Sequence, residues 1–539
     1  MRRAAKWLAL GLLVVVVLAL VALAMVPYLV DVPRIQALVA GAATQALGRP
    51  VTFSDVSISV FPLPAVVLED LQVAEDPAFG REPFLRVDEA EVRLRVWPLL
   101  FLRVELGDFV LEKPTISLVQ SADGRWNIAT LGAPGEPRPA SRPRGGGGGA
   151  GTAAGGVLVS RVRIDDGVML YEARGRGTST RYRLENVDLT IRGGRSPLAF
   201  EGNATVKPGD LGVKIADGTL ALDGARSVLG TALRARVSLD GKDVRELVAT
   251  ALGPEPAISG GVTGTLSLGG TVGDPRATGD VQLTGVKVSR LNPACPEPRR
   301  RTLDLGTVRL NVAWEESRLT GRPVTASLGG GSLTTNLTAR VGGGLRVELA
   351  DLGVKGVPIE KILVDFLCQG YAVSGPLDLA GQAATRPGDL LRTLDGRGQV
   401  RIGPGKIVGA QALALLGHAA RVGGGVSSLL RGEAPSVDGS PLDYDAITAT
   451  YTITDGIVTT RDLVVTSRAL RIMAAGTYAL ASGAMDLDVV LRHSGGELQA
   501  KVTGTAASPS IRLAPASVVR GLDQEKVQRG LQDLLKRFR

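Results

Sequence analysis

Cysteine and histidine are almost missing from this chain, each occurring twice in 539 residues. Two cysteines, Cys295 and Cys368, are too few for a disulfide scaffold or a Cys-rich zinc module. They suffice for one bond in an oxidising compartment, and the sequence leaves open whether their Cα atoms come within bonding range. His418 lies among alanines and leucines and His493 follows a strand pattern, and neither stands in an HExxH or comparable spacing. Both read as structural residues. The commonest acid–base group near neutral pH is therefore not arranged for catalysis.

Aromatic residues make up only 4% of the chain, so carboxylate pairs such as Asp443/Asp445 and Asp486/Asp488 lack the rings that bind a sugar. Strand alternation places Asp486 and Asp488 together, opposite Met485, Leu487 and Val489, as on a solvated sheet face. Gly403-Pro404-Gly405-Lys406 lacks the Walker spacing, and the run Gly145 to Gly149 does not join a strand to a helix, so no nucleotide site is supported. Lys+Arg 62 against Asp+Glu 53 gives a net charge of +9, but the charges are interleaved. Without a dense basic stripe, nucleic acid is not an expected partner. The surplus suits an anionic membrane surface or serves solubility alone. The expectation is a protein that is not an enzyme and holds no cofactor or metal.

Glycine (70) and proline (30) are plentiful in a chain that is 44% hydrophobic, which points to many short elements between turns. From Trp7 to Val30 no charged residue occurs, and about 20 apolar residues at about 1.5 Å each cross a hydrocarbon core as a helix. Arg2, Arg3 and Lys6 stay on the cytoplasmic side, which sends the remainder across the membrane. A cleavable signal ending at Ala22-Leu23-Ala24 is the competing reading, although the apolar run continues beyond it. Either way the body lies outside the cytoplasm.

The pattern then divides the chain. Residues 1–30 are the cytoplasmic tip and anchor. Residues 31–131 form a β module led by a helix over Val32 to Leu47, with Gly48 as its stop. Residues 132–156, rich in Gly, Pro and Arg, bury too little apolar area to order and form a linker. Residues 157–382 and 383–515 carry short alternating runs, among them Val187, Leu189, Ile191 and Val347, Leu349. Helical spacing interrupts them at Pro358 to Cys368, with Ile359, Ile362, Leu363 and Phe366 on one face, and at Ile407 to Ala420. Residues 516–539 read as a basic amphipathic helix that caps the sheet or docks on a membrane or partner.

Several short features share an order and spacing: Gly48-Arg49-Pro50-Val51, the Phe-Pro ending at Pro62, Leu68-Glu69-Asp70-Leu71, Pro83-Phe84-Leu85, Trp97-Pro98-Leu99-Leu100, Lys113-Pro114-Thr115-Ile116 and Asp123-Gly124-Arg125-Trp126-Asn127. Together they resemble the N-terminal region of the AsmA family, itself similar to the chorein-type start of bridge-like lipid-transfer proteins. Gly396 to Gly409, Ile447 to Ile457 and Val502 to Pro509 also resemble AsmA proteins. The resemblance implies an elongated, curled antiparallel β-sheet with an apolar groove that conducts phospholipid between the membranes. It also implies an inner-membrane, single-pass protein with its body in the periplasm, and a role in outer-membrane assembly. It offers no catalytic residues.

Roughly 30 strands at about 4.8 Å would extend up to about 140 Å. The candidate groove lining is Val92, Leu94 and Val96; Leu266 and Leu268; Ile453; and Leu487, Val489 and Leu491, each of which ordinary sheet packing also explains. The alternative is a membrane-tethered scaffold or regulator that meets the outer-membrane assembly machinery through its C-terminal region and exposed strand edges.

Overall fold

The computed structural model describes residues 36–131, 161–406 and 443–513, apart from 37–39, 42, 46, 60–64, 95–105, 176–178, 194–195, 223–226, 293–294, 296, 341–344, 369–372, 387–388, 469, 494–495 and 506–507. The expected anchor at Trp7 to Val30, the linker 132–156, the helix at Ile407 to Ala420, the C-terminal helix 516–539, His418 and Val96 lie outside the described residues. The chain is mainly β with few helices, and it divides into two compact units.

The first unit comprises Met1–Asp240 and Thr265–Ala277. Its strands are β1 Val51–Thr52, β2 Asp55–Ser59, β3 Ala65–Val73, β4 Leu85–Leu94, β5 Leu106–Glu112, β6 Thr115–Gln120, β7 Arg161–Arg174, β8 Ser179–Arg192, β9 Leu198–Lys207, β10 Leu211–Ala221 and β11 Ala232–Gly241. The leading helix stops where glycine permits it. Gly48 takes φ 69°, and its N–H donates to the Thr44 carbonyl. Ala43 and Leu47 on that helix pack onto a core of Val51, Val56, Leu68, Leu71, Val73, Val87 and Ala90.

Most neighbours in this unit are antiparallel, but β7 runs parallel to both β5 and β6. This corrects the expectation of an antiparallel sheet throughout. A parallel pair needs a long crossover, and the stretch from Ser121 to Ser160 supplies it. Lys113, at φ 49°, breaks β5 from β6, and its N–H donates to the Asp165 carbonyl. Opposite this step β7 bulges at Asp166, φ 53°, and Gly167. A Cβ on Gly167 would come within 2.8 Å of Ile164 and 3.2 Å of Pro114, so glycine admits the close approach. Similar left-handed residues, Asn186 and Asp217, mark register shifts in β8 and β10. Such bulges bend each strand and increase its twist, which curls the sheet.

Two of the family-like motifs meet in space. Arg49 forms a 3.0 Å ion pair with Glu75, with both side chains about 95% buried. The same guanidinium donates to the Asn127 carbonyl and to Thr130 Oγ1. Asn127 Nδ2 donates to Glu75 Oε2 at 2.6 Å and to the Ser117 carbonyl at 2.8 Å, while its Oδ1 accepts the Val119 N–H. The network ties the end of the leading helix to the far side of β6. A buried pair satisfied in this way is costly to break from one side.

The second unit comprises Gly241–Gly264 and Thr278–Arg539. Its strands are drawn from β12 Ala257–Gly270, β13 Pro275–Leu291, β14 Arg300–Glu315, β15 Arg318–Leu328, β16 Gly331–Arg340, β17 Arg346–Pro358, β18 Pro376–Thr385, β19 Asp395–Ile402, β20 Gly405–Lys406, β21 Asp443–Tyr444, β22 Ala446–Thr454, β23 Ile457–Thr466, β24 Leu470–Ala479, β25 Ala484–His493, β26 Gly496–Thr505 and β27 Ser508–Leu513. From β14 onward each strand pairs antiparallel with the next, except that β19 pairs β22 while β20 and β21 form a separate two-residue ladder. Two-residue turns close the hairpins where φ must be positive. Asp455 and Gly456, at 47° and 73°, join β22 to β23, and Glu316 and Ser317 join β14 to β15.

Between β17 and β18 the chain is helical, as its apolar spacing predicts, but its turn is wider than an α-helix. Lys361–Phe366 is π-helical, closed by the Leu367 N–H donating to the Ile362 carbonyl. Ile359 is buried, and Ile362 and Leu363 pack against the same cluster. The Cys295 and Cys368 sulfurs are bonded, with Cα atoms 5.5 Å apart.

Candidate functional site

In an antiparallel ladder, directly paired residues point to the same face, so the register shows which side chains line up across the second unit. One row runs Val357, Leu377, Ile402, Ile447, Val465, Ile472 and Leu491, crossing from β17 to β25 without a polar interruption. A second row, Leu333, Val354, Leu379, Val400 and Ala449, crosses from β16 to β22. Beside the first row lie Ala474, Val489 and Ala500, then Gly476, Leu487, Val502 and Ile511.

The sequence candidates Leu487, Val489 and Leu491 therefore share one face. Ile453 joins it through Val458, Tyr478 and Met485. Leu491 is buried, whereas Leu487, Val489, Ile453, Val465, Ile472 and Val502 stay half-buried. A fully packed core would bury them, so this part of the face has room for another apolar layer.

The opposite face carries the charge. Lys501 bridges Asp486 at 2.5 Å and Asp488 at 3.1 Å, and its hydrogen bond to Asp486, with that to Asp488, holds its pKa above the ordinary lysine range. All three are well exposed, and the two carboxylates are paired rather than set about a reaction centre. A dent of about 550 Å³ is lined by Lys355, Asp378, Gln399, Arg401, Thr448, Thr450 and Asp462 together with Val354, Leu379, Ala380, Val400 and Ala449. There Asp462 accepts the backbone N–H and the hydroxyl of Thr450, the N–H bond being the main reason its pKa is lowered. Among the described residues no group of three or more His, Cys, Asp or Glu is placed to hold a metal ion.

Glycine shapes the apolar face where a large ring crosses it. Tyr451 pairs with Gly398, and Gly398 with Gly381. A Cβ would lie 2.8 Å from the Tyr451 hydroxyl at Gly398 and 3.1 Å from it at Gly381. Burial pushes the Tyr451 pKa up.

The other candidates fall in the first unit. Val92 sits in the row Val66, Val92, Phe109, Val162, Ile191 and Phe200, all half-buried. Leu94 is in β4 opposite Leu106. Leu266 and Leu268 are half-buried in β12 and alternate with exposed Thr265 and Ser267.

Sequence reasoning passed over the most continuous part of the face, Leu333, Val354, Leu379, Val400 and the row from Val357 to Ile447. The alternation Leu377-x-Leu379 and Val400-x-Ile402 was the available signal.

Fold and site together define an amphipathic β-sheet protein with one apolar face left half-open to its surroundings. The model of the AsmA family matches residues 1–221, so the resemblance first met at Gly48 holds for the N-terminal part of the chain. The C-terminal segments that resemble AsmA proteins lie beyond the matched residues. No curated protein and no solved structure matches the chain. The family match and the large β-sheet fit an envelope-related role. Among the described residues no helix is long and apolar enough to cross a membrane.

Proposed function

We propose that the chain is an inner-membrane-anchored periplasmic protein that holds phospholipid acyl chains on the apolar face of its sheet and contributes to outer-membrane lipid transport. The observation that carries this reading is the unbroken apolar row from Val357 to Leu491, with half-buried Leu487, Val489 and Val502 beside it. Val357, Leu377, Ile402, Ile447 and Leu491 are already buried, whereas Val465, Ile472, Leu487, Val489 and Val502 stay half-buried; on that half-buried stretch acyl chains would complete the covering layer without any specific polar contact. The mechanism is passive solvation: an acyl chain leaves water for the face at about 0.8 kcal/mol per buried methylene, with no reaction step. The charge on the opposite face keeps that side in water. The anchor at Trp7 to Val30 would hold the body beside its lipid source.

A photo-crosslinking residue at Leu487, with a control at Asp488 on the opposite face, tests the reading in the full chain incubated with phospholipid vesicles. Lipid adducts are expected from position 487 and not from position 488. Absence of adducts at 487 would contradict the proposal. The scaffold reading rests on a different observation, the position of β27 as the last described strand, laddered to β26. It would be favoured if a partner protein, rather than lipid, were captured from Leu487 and along β27.

A further inference from the structure

We infer that the segment from Ile359 to Phe366 is a cover latched over one end of the apolar face by the Cys295–Cys368 bond, and that reducing this bond releases it. The proposal rests on the lipid-handling reading only for what the cover excludes; the latch itself stands on geometry. The segment seals its end of the face from within the chain. Ile359 is buried with Leu328, Val354, Val357, Leu377 and Ile402, and Ile362 and Leu363 pack against that cluster. Leu377 on β18 and Ile402 on β19 are buried, whereas Leu379 and Val400, next on those two strands, are half-buried; on β17 both Val357 and Val354 are buried. The difference follows the position of the segment.

What holds the segment is a small set of contacts gathered at its C-terminal end. Cys368 is bonded to Cys295 in the stretch between β13 and β14. Asn292 Nδ2 donates to the Leu367 carbonyl at 3.2 Å, and the Arg290 guanidinium lies 5.8 Å from the centre of the Phe366 ring. Cys368 itself takes a left-handed φ of 55°, which a non-glycine residue adopts at a cost. The π-helical turn beneath these contacts is a less regular hydrogen-bonded unit than an α-helix and depends on its surroundings. When the sulfur bridge is cleaved, the Asn292 hydrogen bond and the Arg290–Phe366 contact remain at that end among the described residues. Two-electron reduction by a dithiol donor converts the bridge to two thiols and the donor to its disulfide, which balances the step.

The test uses the full chain, comparing the oxidised protein, the protein reduced by a dithiol with free thiols verified by mass, and the Cys295→Ser/Cys368→Ser variant. Amide exchange at Ile362 to Leu367 is expected to rise about tenfold in both bond-free forms, at labelling times over which the β18–β19 ladder remains protected. Unchanged exchange at 362–367 with the bond gone would overturn the latch. A photo-crosslinker at Leu303, on the strand against which the segment lies, adds the lipid arm with phosphatidylethanolamine and phosphatidylglycerol vesicles. Adducts at Leu303 should appear only when the bond is open, while adducts at Leu487 persist in every form. Equal labelling at Leu303 with the bond closed would overturn the cover. If Leu487 never labels, the lipid-handling reading fails and the latch is decided by exchange alone.

Discussion

Arg49 shows how one residue's chemistry organises a module. It is almost fully buried, and its partners come from two separate stretches of chain, Glu75 after β3 and the turn that holds both Asn127 and Thr130. Removing one partner leaves the others desolvated and unmatched. Arg49→Met is therefore expected to destabilise the first unit by about 3 kcal/mol, and Asn127→Ala by about 2 kcal/mol, read from denaturant midpoints at unchanged slope. Tyr444 offers a pH-dependent counterpart. Its hydroxyl donates to the Ser374 carbonyl at 2.7 Å, and burial, with Glu360 nearby, pushes its pKa up to about 12 from 10.0. The folded state favours the neutral phenol. The resulting stability is fully present below pH 10.0 and is lost as pH rises toward about 12. An alkaline unfolding series should show this loss, and Tyr444→Phe should remove it while costing about 1 kcal/mol at neutral pH.

At the scale of elements, local signals were legible and long-range ones were not. Gly48 as a helix stop and Asp455-Gly456 as a hairpin turn could be read because left-handed φ has few residue solutions. The helical spacing of Ile359, Ile362 and Leu363 was also readable, but its π-helical form depends on packing against Leu377 and Ile402, which sequence does not bring together. The parallel placement of β7 depends on the 40 residues that separate it from β6 in the chain, and the helix Arg245–Leu252 is only 8 residues long. The family-like motifs were visible as a string of residues, yet the ion pair that links Arg49 to Glu75 and Asn127 was hidden for the same reason. The sulfur bridge is a covalent long-range constraint in the second unit, spanning a sequence separation of 73. By chain entropy its loss should lower stability by about 4 kcal/mol, so the Cys295→Ser/Cys368→Ser variant is expected to unfold at clearly lower denaturant. An unchanged midpoint would mean the unfolded chain gains little freedom.

At the scale of the whole chain, the sequence made the β class apparent, while the site emerged only from register. Alternation marked Leu487, Val489 and Leu491 as one-sided, but a one-residue slip would have moved each to the polar face. The pairing of Leu491 with Ile472, and of Ile472 with Val465, turns three isolated patterns into a surface. Glutamates placed there should repel acyl chains without disturbing the ladder hydrogen bonds, since those come from the backbone. The central claim is tested most directly by native mass spectrometry of the full chain, released from detergent, for bound phospholipid. The wild-type chain is expected to carry phospholipid and the Leu487→Glu/Val489→Glu variant, verified as folded, to lose most of it. A wild-type chain free of phospholipid, or equal retention by both proteins, would contradict the account.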